Sequence, residues 1–156
     1  GRKRIQTSKR NVMKKIGLAS DHAGFELKQF VKIWLEARGL EYQDFGTYTP
    51  DSCDYADFAH PLALAVEAGD CYPGIAICGS GNGINMTLNH HQGIRAALCS
   101  DTFSAHATRE HNDANILAMG ARVVGEGLAL DIVDTFLETE FSNDERHIRR
   151  INMIED

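Results

Sequence analysis

The chain has 156 residues, 43% of them hydrophobic, which is typical of one globular domain with a sizeable core. Its 22 acidic and 16 basic residues give a formal net charge of -6, which argues against a general nucleic-acid binder because such proteins need a basic face. The four cysteines form no C-x-x-C pair, and no signal peptide or membrane-length apolar run is evident, so we expect a reduced, cytoplasmic protein.

The first twelve residues are basic and polar, with Arg2, Lys3, Arg4, Lys9 and Arg10. We interpret residues 1–12 as a disordered leader or as residues left by cloning, rather than as a nucleic-acid arm. Residues 13–156 are then expected to form a single domain.

Alternating strand and helix signals run through the rest of the chain. Apolar runs predict five strands, at 15–20, 40–45, 74–78, 94–99 and 115–119. Helical spacing predicts a first helix that Gly39 ends, with Phe30 and Trp34 as core aromatics, and further helices at 55–68, 83–89, 102–110, 125–140 and 144–155. This order predicts an α/β fold with a parallel sheet covered on both faces.

In such a sheet, ligands bind outside the carboxyl ends of the strands. Three segments follow predicted strands directly, and the fold would bring them to that edge: Asp21-His22, Cys78 to Gly83, and Ser100-Asp101. Asp21-His22 and Ser100-Asp101 also contain residue types that cap helices. Asp21 could therefore cap the first helix, bind a ligand, or do both.

The segment Ile77-Cys78-Gly79-Ser80-Gly81-Asn82-Gly83 is the strongest candidate site. A thiol between a strand end and a helix N-terminus is placed to react as a thiolate, either as a base or as a nucleophile. Three glycines in five residues favour close approach of the backbone to an anion or oxyanion. The spacing matches neither a dinucleotide fingerprint nor a P-loop. The other cysteines lack such a loop, and we predict structural roles for Cys53, Cys71 and Cys99.

Three further groups have both a functional and a structural interpretation. His111, in a predicted loop with Asn112 and Asp113, is a candidate acid or base, although a lone loop histidine is often exposed and idle. Arg146 and Arg150 are four residues apart on one helical face, where they either bind a phosphate or pair with neighbouring acids. The seven histidines show no metal-binding spacing, so no metal is expected.

These motifs together resemble the ribose-5-phosphate isomerase B family, which includes the lactose-pathway galactose-6-phosphate isomerase subunits. Besides the cysteine loop, the matching segments are Asp21 to Phe25, Gly93 to Ala96, Arg109 to Asn115 and Gly120 to Val124. The resemblance covers the chain from about Met13. It implies a Rossmann-like three-layer αβα sandwich with a five-stranded parallel sheet, and an aldose–ketose isomerase of the pentose phosphate pathway that uses no cofactor.

The resemblance also implies roles for single residues. Cys78 would be the base that moves a proton between C1 and C2, and Ser80 would assist the loop that stabilises the enediolate. Asp21 would be a polar partner of substrate oxygens, and His111 would open the furanose ring. The remaining implied substrate-binding residues are His22, Tyr55, Gly79, Gly81, Asn82, Gly83, Asn112, Arg122, Arg146 and Arg150.

In the family the site is shared between two subunits, which implies a homodimer or a dimer of dimers in which His111, Asn112, Arg146 and Arg150 complete the neighbour's pocket. The connection from Asn89 to Gln92 departs from the family pattern, so a six-carbon substrate such as allose or galactose 6-phosphate stays open. A non-catalytic sugar-phosphate-binding module and a hydrolase using Cys78 and His111 also remain alternatives.

Overall fold

The computed structural model describes residues 13–156. The proposed leader, residues 1–12, lies outside the described residues. Five strands form one parallel sheet in the order β2-β1-β3-β5-β4. Their bounds are Lys15–Ser20 for β1, Tyr42–Asp44 for β2, Cys71–Cys78 for β3, Ala96–Leu98 for β4 and Ile116–Gly120 for β5.

Six helices alternate with or follow these strands. They are α1 Phe25–Ala37, α2 Ala56–Ala68, α3 Asn82–Asn89, α4 Thr102–Asn112, α5 Glu126–Glu138 and α6 Glu145–Glu155. No helix among the described residues is long and apolar enough to cross a membrane.

The two faces of the sheet bury separate clusters because neighbouring strand residues point to opposite sides. On one face, Ile75 and Ile77 of β3 belong to the cluster that α1 and α5 cover. On the other face, Ala76 and Cys78 belong to the cluster that α2 and α3 cover. The result is the expected three-layer sandwich, in which the Cys78 side chain lies on the α2–α3 side.

Several predicted boundaries differ from the structure. Helix α4 continues through His111 and Asn112, so the predicted loop at these residues is wrong. The helix ends only at Asp113, whose left-handed backbone (φ 47°) forms the C-cap and whose carboxylate pairs with Arg109 at 2.7 Å. Phe30 is 42% exposed rather than part of the core, because it lies on the outer flank of the apolar face of α1.

Candidate active site

The carboxyl ends of the two neighbouring central strands carry the candidate chemistry. Strand β1 ends at Ser20 and leads into Asp21 and His22, while β3, its hydrogen-bonded neighbour, ends at Cys78. The Asp21 N–H donates to the carbonyl of Ile77 at 3.3 Å, which holds the two strand ends together. Asp21 and Cys78 therefore lie at the same edge of the sheet, as the sequence predicts.

The thiol of Cys78 is held by its own loop. Its Sγ accepts a hydrogen bond from the Gly81 N–H at 3.2 Å, and the residue is only 4% exposed. The loop leads directly into α3, whose N-terminus carries a partial positive charge. The sulfur therefore lies between a backbone N–H donor and the start of a helix, which is a place in which reactive cysteines occur.

The three glycines of this loop meet different steric demands. Gly81 has a left-handed backbone with φ of 84°, which a residue with a side chain adopts only at a cost. A Cβ at Gly83 would collide with the ring of Tyr55, whereas a Cβ at Gly79 would meet Ala23 and Arg122 at ordinary contact distances. The glycine spacing therefore reflects loop geometry and Tyr55 packing as well as room for a ligand.

Ser80 and Asn82 shape the exposed side of the loop. The Ser80 Oγ accepts hydrogen bonds from the Asn82 backbone N–H and from its side-chain Nδ2, both at 3.2 Å. The Arg122 N–H donates to the Gly79 carbonyl at 3.0 Å, so the turn after β5 supports the loop from the other side. Tyr55 and Arg122 thus flank the loop.

Asp21 also contacts the start of the first helix. It is 6% exposed, and its Oδ1 accepts a hydrogen bond from the Gly24 N–H at 3.1 Å, just before α1. The N-cap of α1 is Gly24, and no side chain caps the helix there, so the capping interpretation of Asp21 is wrong. Its carboxylate instead holds the turn that leads into the helix, at the edge of the site.

His22 has a defined tautomer. Its Nδ1 accepts the backbone N–H of Cys53 at 3.2 Å, so in the neutral ring the proton is on Nε2. The Nε2–H group is then a hydrogen-bond donor, which suits an anionic ligand. The sequence predicts only a structural role for Cys53 and does not reveal this contact with His22. The residue is half-buried, and its Sγ lies 4.0 Å from His22 Nδ1.

The other four predicted residues lie elsewhere. Helix α4 starts after β4 and runs back toward the opposite edge of the sheet, so its 11 residues carry His111 and Asn112 about 16 Å away along the strand direction. His111 contacts Glu110 (Nε2 to Oε1, 3.2 Å) and packs against the ring of His147 in α6 at 4.7 Å between centroids.

Arg146 and Arg150 lie on α6, which packs beside α4, and both are exposed. Arg146 lies 3.7 Å from Asp144. The candidate residues of one chain therefore form two separate groups. The group at the Cys78 edge of the sheet consists of Asp21, His22, Tyr55, Cys78 to Gly83 and Arg122. The group at the opposite edge consists of His111, Asn112, Arg146 and Arg150.

The connection from Asn89 to Gln92, which departs from the family pattern, also lies at the edge of the sheet opposite Cys78. His90, His91 and Gln92 line a cleft of about 450 Å³ together with Asn112. His91 Nε2 is 2.6 Å from Nδ1 of His60 in α2. The altered connection is therefore remote from Cys78 of the same chain.

The described residues bring together no group of three or more His, Cys, Asp and Glu side chains that could hold a metal ion. The four thiols are free, and three of them are buried. Burial raises the pKa of Cys99 to about 11 and also raises that of Cys71. These two thiols stay protonated and are poorly suited to proton transfer near neutral pH.

The chain is similar to known proteins over most of its length. The family model described as Ribose/Galactose Isomerase matches residues 16–154. Ribose-5-phosphate isomerase B of Escherichia coli is 45% identical over 91% of this chain and 95% of its own. D-erythrulose-4-phosphate isomerase of Pectobacterium atrosepticum is 39% identical over 83% and 86%.

Among solved structures, ribose-5-phosphate isomerase B of Clostridium thermocellum superposes with a TM-score of 0.89, at 51% identity over 91% of this chain and 95% of that one. The matches span nearly all of the described residues and include both sheet edges. The chain therefore belongs to the ribose/galactose isomerase family.

Proposed function

We propose that the chain is an aldose–ketose isomerase that interconverts D-ribose 5-phosphate and D-ribulose 5-phosphate. The observation that carries this proposal is the Cys78 thiol, which the Gly81 N–H and the start of α3 hold at the carboxyl end of β3. Family membership and the relatives named for ribose 5-phosphate support the same reaction.

In the proposed mechanism, the Cys78 thiolate removes the proton from C2 of the open-chain aldose. The C2–H electrons form the C1=C2 double bond, and the carbonyl oxygen becomes an enediolate oxygen. N–H groups in the first turn of α3, which have no acceptor within the helix, stabilise that charge, with Ser80 assisting. The protonated thiol then returns the proton to C1, and the proton of the C2 hydroxyl passes to the C1 oxygen. This gives the C1 hydroxyl and the C2 carbonyl of the ketose and restores the thiolate.

The substrate phosphate is expected to lie against His22, Arg146 and Arg150. The defined tautomer of His22 supports this assignment because its Nε2–H can donate to a phosphate oxygen. Asp21 and Asn112 would hold sugar hydroxyls, with Tyr55 and Arg122 lining the pocket. His111 would open the furanose ring as an acid or base.

A second copy of the chain would supply His111, Asn112, Arg146 and Arg150. Helix α4 reaches from the Cys78 edge to the opposite edge, so a two-fold axis across its middle would place each His111 near the partner's Cys78. Exposed apolar side chains near the Cys78 edge support such packing: Phe103 is 77% exposed and Val123 is 60% exposed. We therefore propose a homodimer, alone or within a dimer of dimers.

We also propose a cytoplasmic location, which the four free thiols support.

The substrate assignment is tested by measuring kcat/KM for ribose 5-phosphate, allose 6-phosphate, galactose 6-phosphate and erythrulose 4-phosphate. We expect the highest value with ribose 5-phosphate. A preference for a four- or six-carbon sugar would replace the proposed substrate, and binding without turnover would indicate a sugar-phosphate-binding module.

A further inference from the structure

Arg95, just before β4, contacts both elements that the proposed assembly donates to the partner's site. We infer that Arg95 is a positioning residue that fixes α6, with Arg146 and Arg150, relative to the end of α4, with His111. This inference rests on the proposed function, because it concerns residues that act in the second subunit's pocket.

Toward α4, the guanidinium of Arg95 binds the carbonyl end of the helix. Its Nε donates to the Asn112 carbonyl at 3.1 Å, and its Nη2 donates to the Asp113 carbonyl at 2.9 Å. The last carbonyls of a helix have no partner within the helix and carry partial negative charge. Arg95 therefore holds the backbone immediately after His111.

Toward α6, the same guanidinium binds a carboxylate. Its Nη1 donates to Glu155 Oε1 at 2.7 Å, and the two side chains are only 14% and 9% exposed. Shielded from water, this pair is better defined than a surface ion pair. The guanidinium is planar and presents its donors in fixed directions, so the two sets of bonds fix the angle between α4 and α6.

Loss of Arg95 should move α6 rather than unfold α4. Asp113 remains paired with Arg109 at 2.7 Å, and Arg109 also donates to the Ala114 carbonyl at 2.8 Å. Arg109 therefore already stabilises the end of α4, and Arg95 serves to align α6 with that end. The contact of the His147 ring with His111 in α4 then depends on how well α6 stays in place.

The test measures in which subunit the defect acts. Two differently tagged chains are co-expressed, and heterodimers are isolated by sequential affinity steps. With Cys78→Ala on one chain and Arg95→Met on the other, one of the two sites combines an intact thiol with an intact donated half. We expect at least a tenfold loss of kcat/KM in the Arg95→Met homodimer but about half of wild-type activity in this heterodimer.

The matched control places both substitutions on one chain and pairs it with a wild-type chain. One site then lacks the thiol and the other has the defective donated half, so we expect about half the activity of the Arg95→Met homodimer. Equal activity in the two heterodimers, or an Arg95→Met homodimer with wild-type kcat/KM, would overturn the inference. A wild-type enzyme that isomerises none of the sugar phosphates would instead refute the proposed function.

Glu155→Gln provides a second variant should Arg95→Met fail to fold. It removes the charged bond to α6 and keeps the bonds from Arg95 to the α4 carbonyls. We expect a smaller loss, of at least threefold in kcat/KM, with the same dependence on which chain carries it. A Glu155→Gln enzyme with unchanged kinetics would contradict a role for this contact in aligning α6.

Discussion

At the scale of single residues, the environment of each thiol separates one reactive candidate from three others. Cys78 receives an N–H hydrogen bond at a helix start, whereas Cys71 and Cys99 are buried among apolar side chains. Cys53 is half-buried beside His22. The four cysteines therefore differ in their expected reactivity because their surroundings differ, and the number of cysteines in the sequence does not reveal this.

Cys78→Ala should lower kcat by on the order of 10²–10⁴-fold, the contribution typical of a general base, while the fold stays intact. Steady-state kinetics and thermal unfolding measure the two effects. Cys99→Ala is the matched control, because it removes a thiol that is also buried but lies away from the loop. A fully active Cys78→Ala enzyme would refute the proposed base.

Burial of Cys99 also predicts a pH dependence of stability. Its pKa rises from 9.0 in the unfolded chain to about 11 in the folded protein, so its contribution is complete below pH 9 and is lost as the pH rises toward 11. Urea unfolding at pH 8 and pH 10 should show a smaller loss of stability in Cys99→Ala than in the wild type. Equal losses in the two proteins would argue against this shift.

At the scale of elements, a buried lysine connects α1 to the loop that precedes α2. Lys28 is 1% exposed, and its Nζ donates to Asp44 at 2.6 Å and to the Thr47 carbonyl at 2.5 Å. Burial lowers its pKa, while the nearby Asp44 partly opposes that effect. The loop that Lys28 anchors also carries the Cys53 N–H that orients His22.

Lys28→Met should raise KM for the sugar phosphate several-fold, since His22 loses a fixed orientation, with a smaller change in kcat. Stability should fall by about 1–3 kcal/mol, because the buried Thr47 carbonyl loses its donor while Asp44 keeps Lys32 as a partner. Lys32→Met is the control: Lys32 contacts the same Asp44 at 3.1 Å. An unchanged KM in Lys28→Met, or an equal rise in both variants, would exclude this role of the loop anchor.

Helix α6 presents two neighbouring arginines that serve as test and control. Arg150→Ala should raise KM for phosphorylated sugars at least tenfold, because a charged phosphate partner contributes on the order of 1.5–3 kcal/mol. Arg149 is also exposed but faces about 100° away on the helix, so Arg149→Ala should change KM little. Similar effects of Arg150→Ala on phosphorylated and unphosphorylated sugars would contradict phosphate binding.

The sequence predicts the elements well where local signals act alone, and less well where tertiary contacts decide. The bounds of β1 are correct because a buried apolar run ends at Asp21. The predicted strand 94–99 shortens to Ala96–Leu98 because β4 is an edge strand that pairs only with β5. Strand β3 begins at Cys71, earlier than predicted, since Pro73 hides the strand signal.

The same limit applies to the site. The strand-end rule correctly predicts that Asp21-His22 and the Cys78 loop meet. Arg95 lies in a recognised motif, but nothing local reveals its bond to Glu155, 60 residues away. Lys28 resembles any surface lysine in the sequence, although its place between Leu27 and Val31, near the apolar face of α1, is a signal that could have been used.

At the scale of the whole molecule, the candidate residues divide between two opposite edges of the sheet. The exposed Phe103 lies at the start of α4, next to the Cys78 edge, where the proposed partner would pack. Ile33, 64% exposed on α1, offers a comparable apolar side chain elsewhere. Substitutions at Phe103, as the test, and at Ile33, as the control, therefore probe the proposed interface without changing the core.

Phe103→Glu should yield a folded monomer whose kcat/KM falls at least tenfold, because a charge in an apolar interface is costly to bury and each monomer lacks the donated residues. Sedimentation velocity and isomerase kinetics measure the two effects, and Ile33→Glu should alter neither. A monomeric Phe103→Glu protein with full activity would show that one chain suffices for catalysis.

The strand order also sets the sequence of events during synthesis. Strands β2, β1 and β3 can pair as soon as Cys78 has been made, but β4 pairs only with β5, which is made later and lies between β3 and β4. The Cys78 loop receives its bonds from Ala121 and Arg122 only after β5 is in place. A growing chain on the ribosome therefore carries the thiol in an unfinished loop until Arg122 has emerged. The insertion of β5 is then the step that completes the reactive centre.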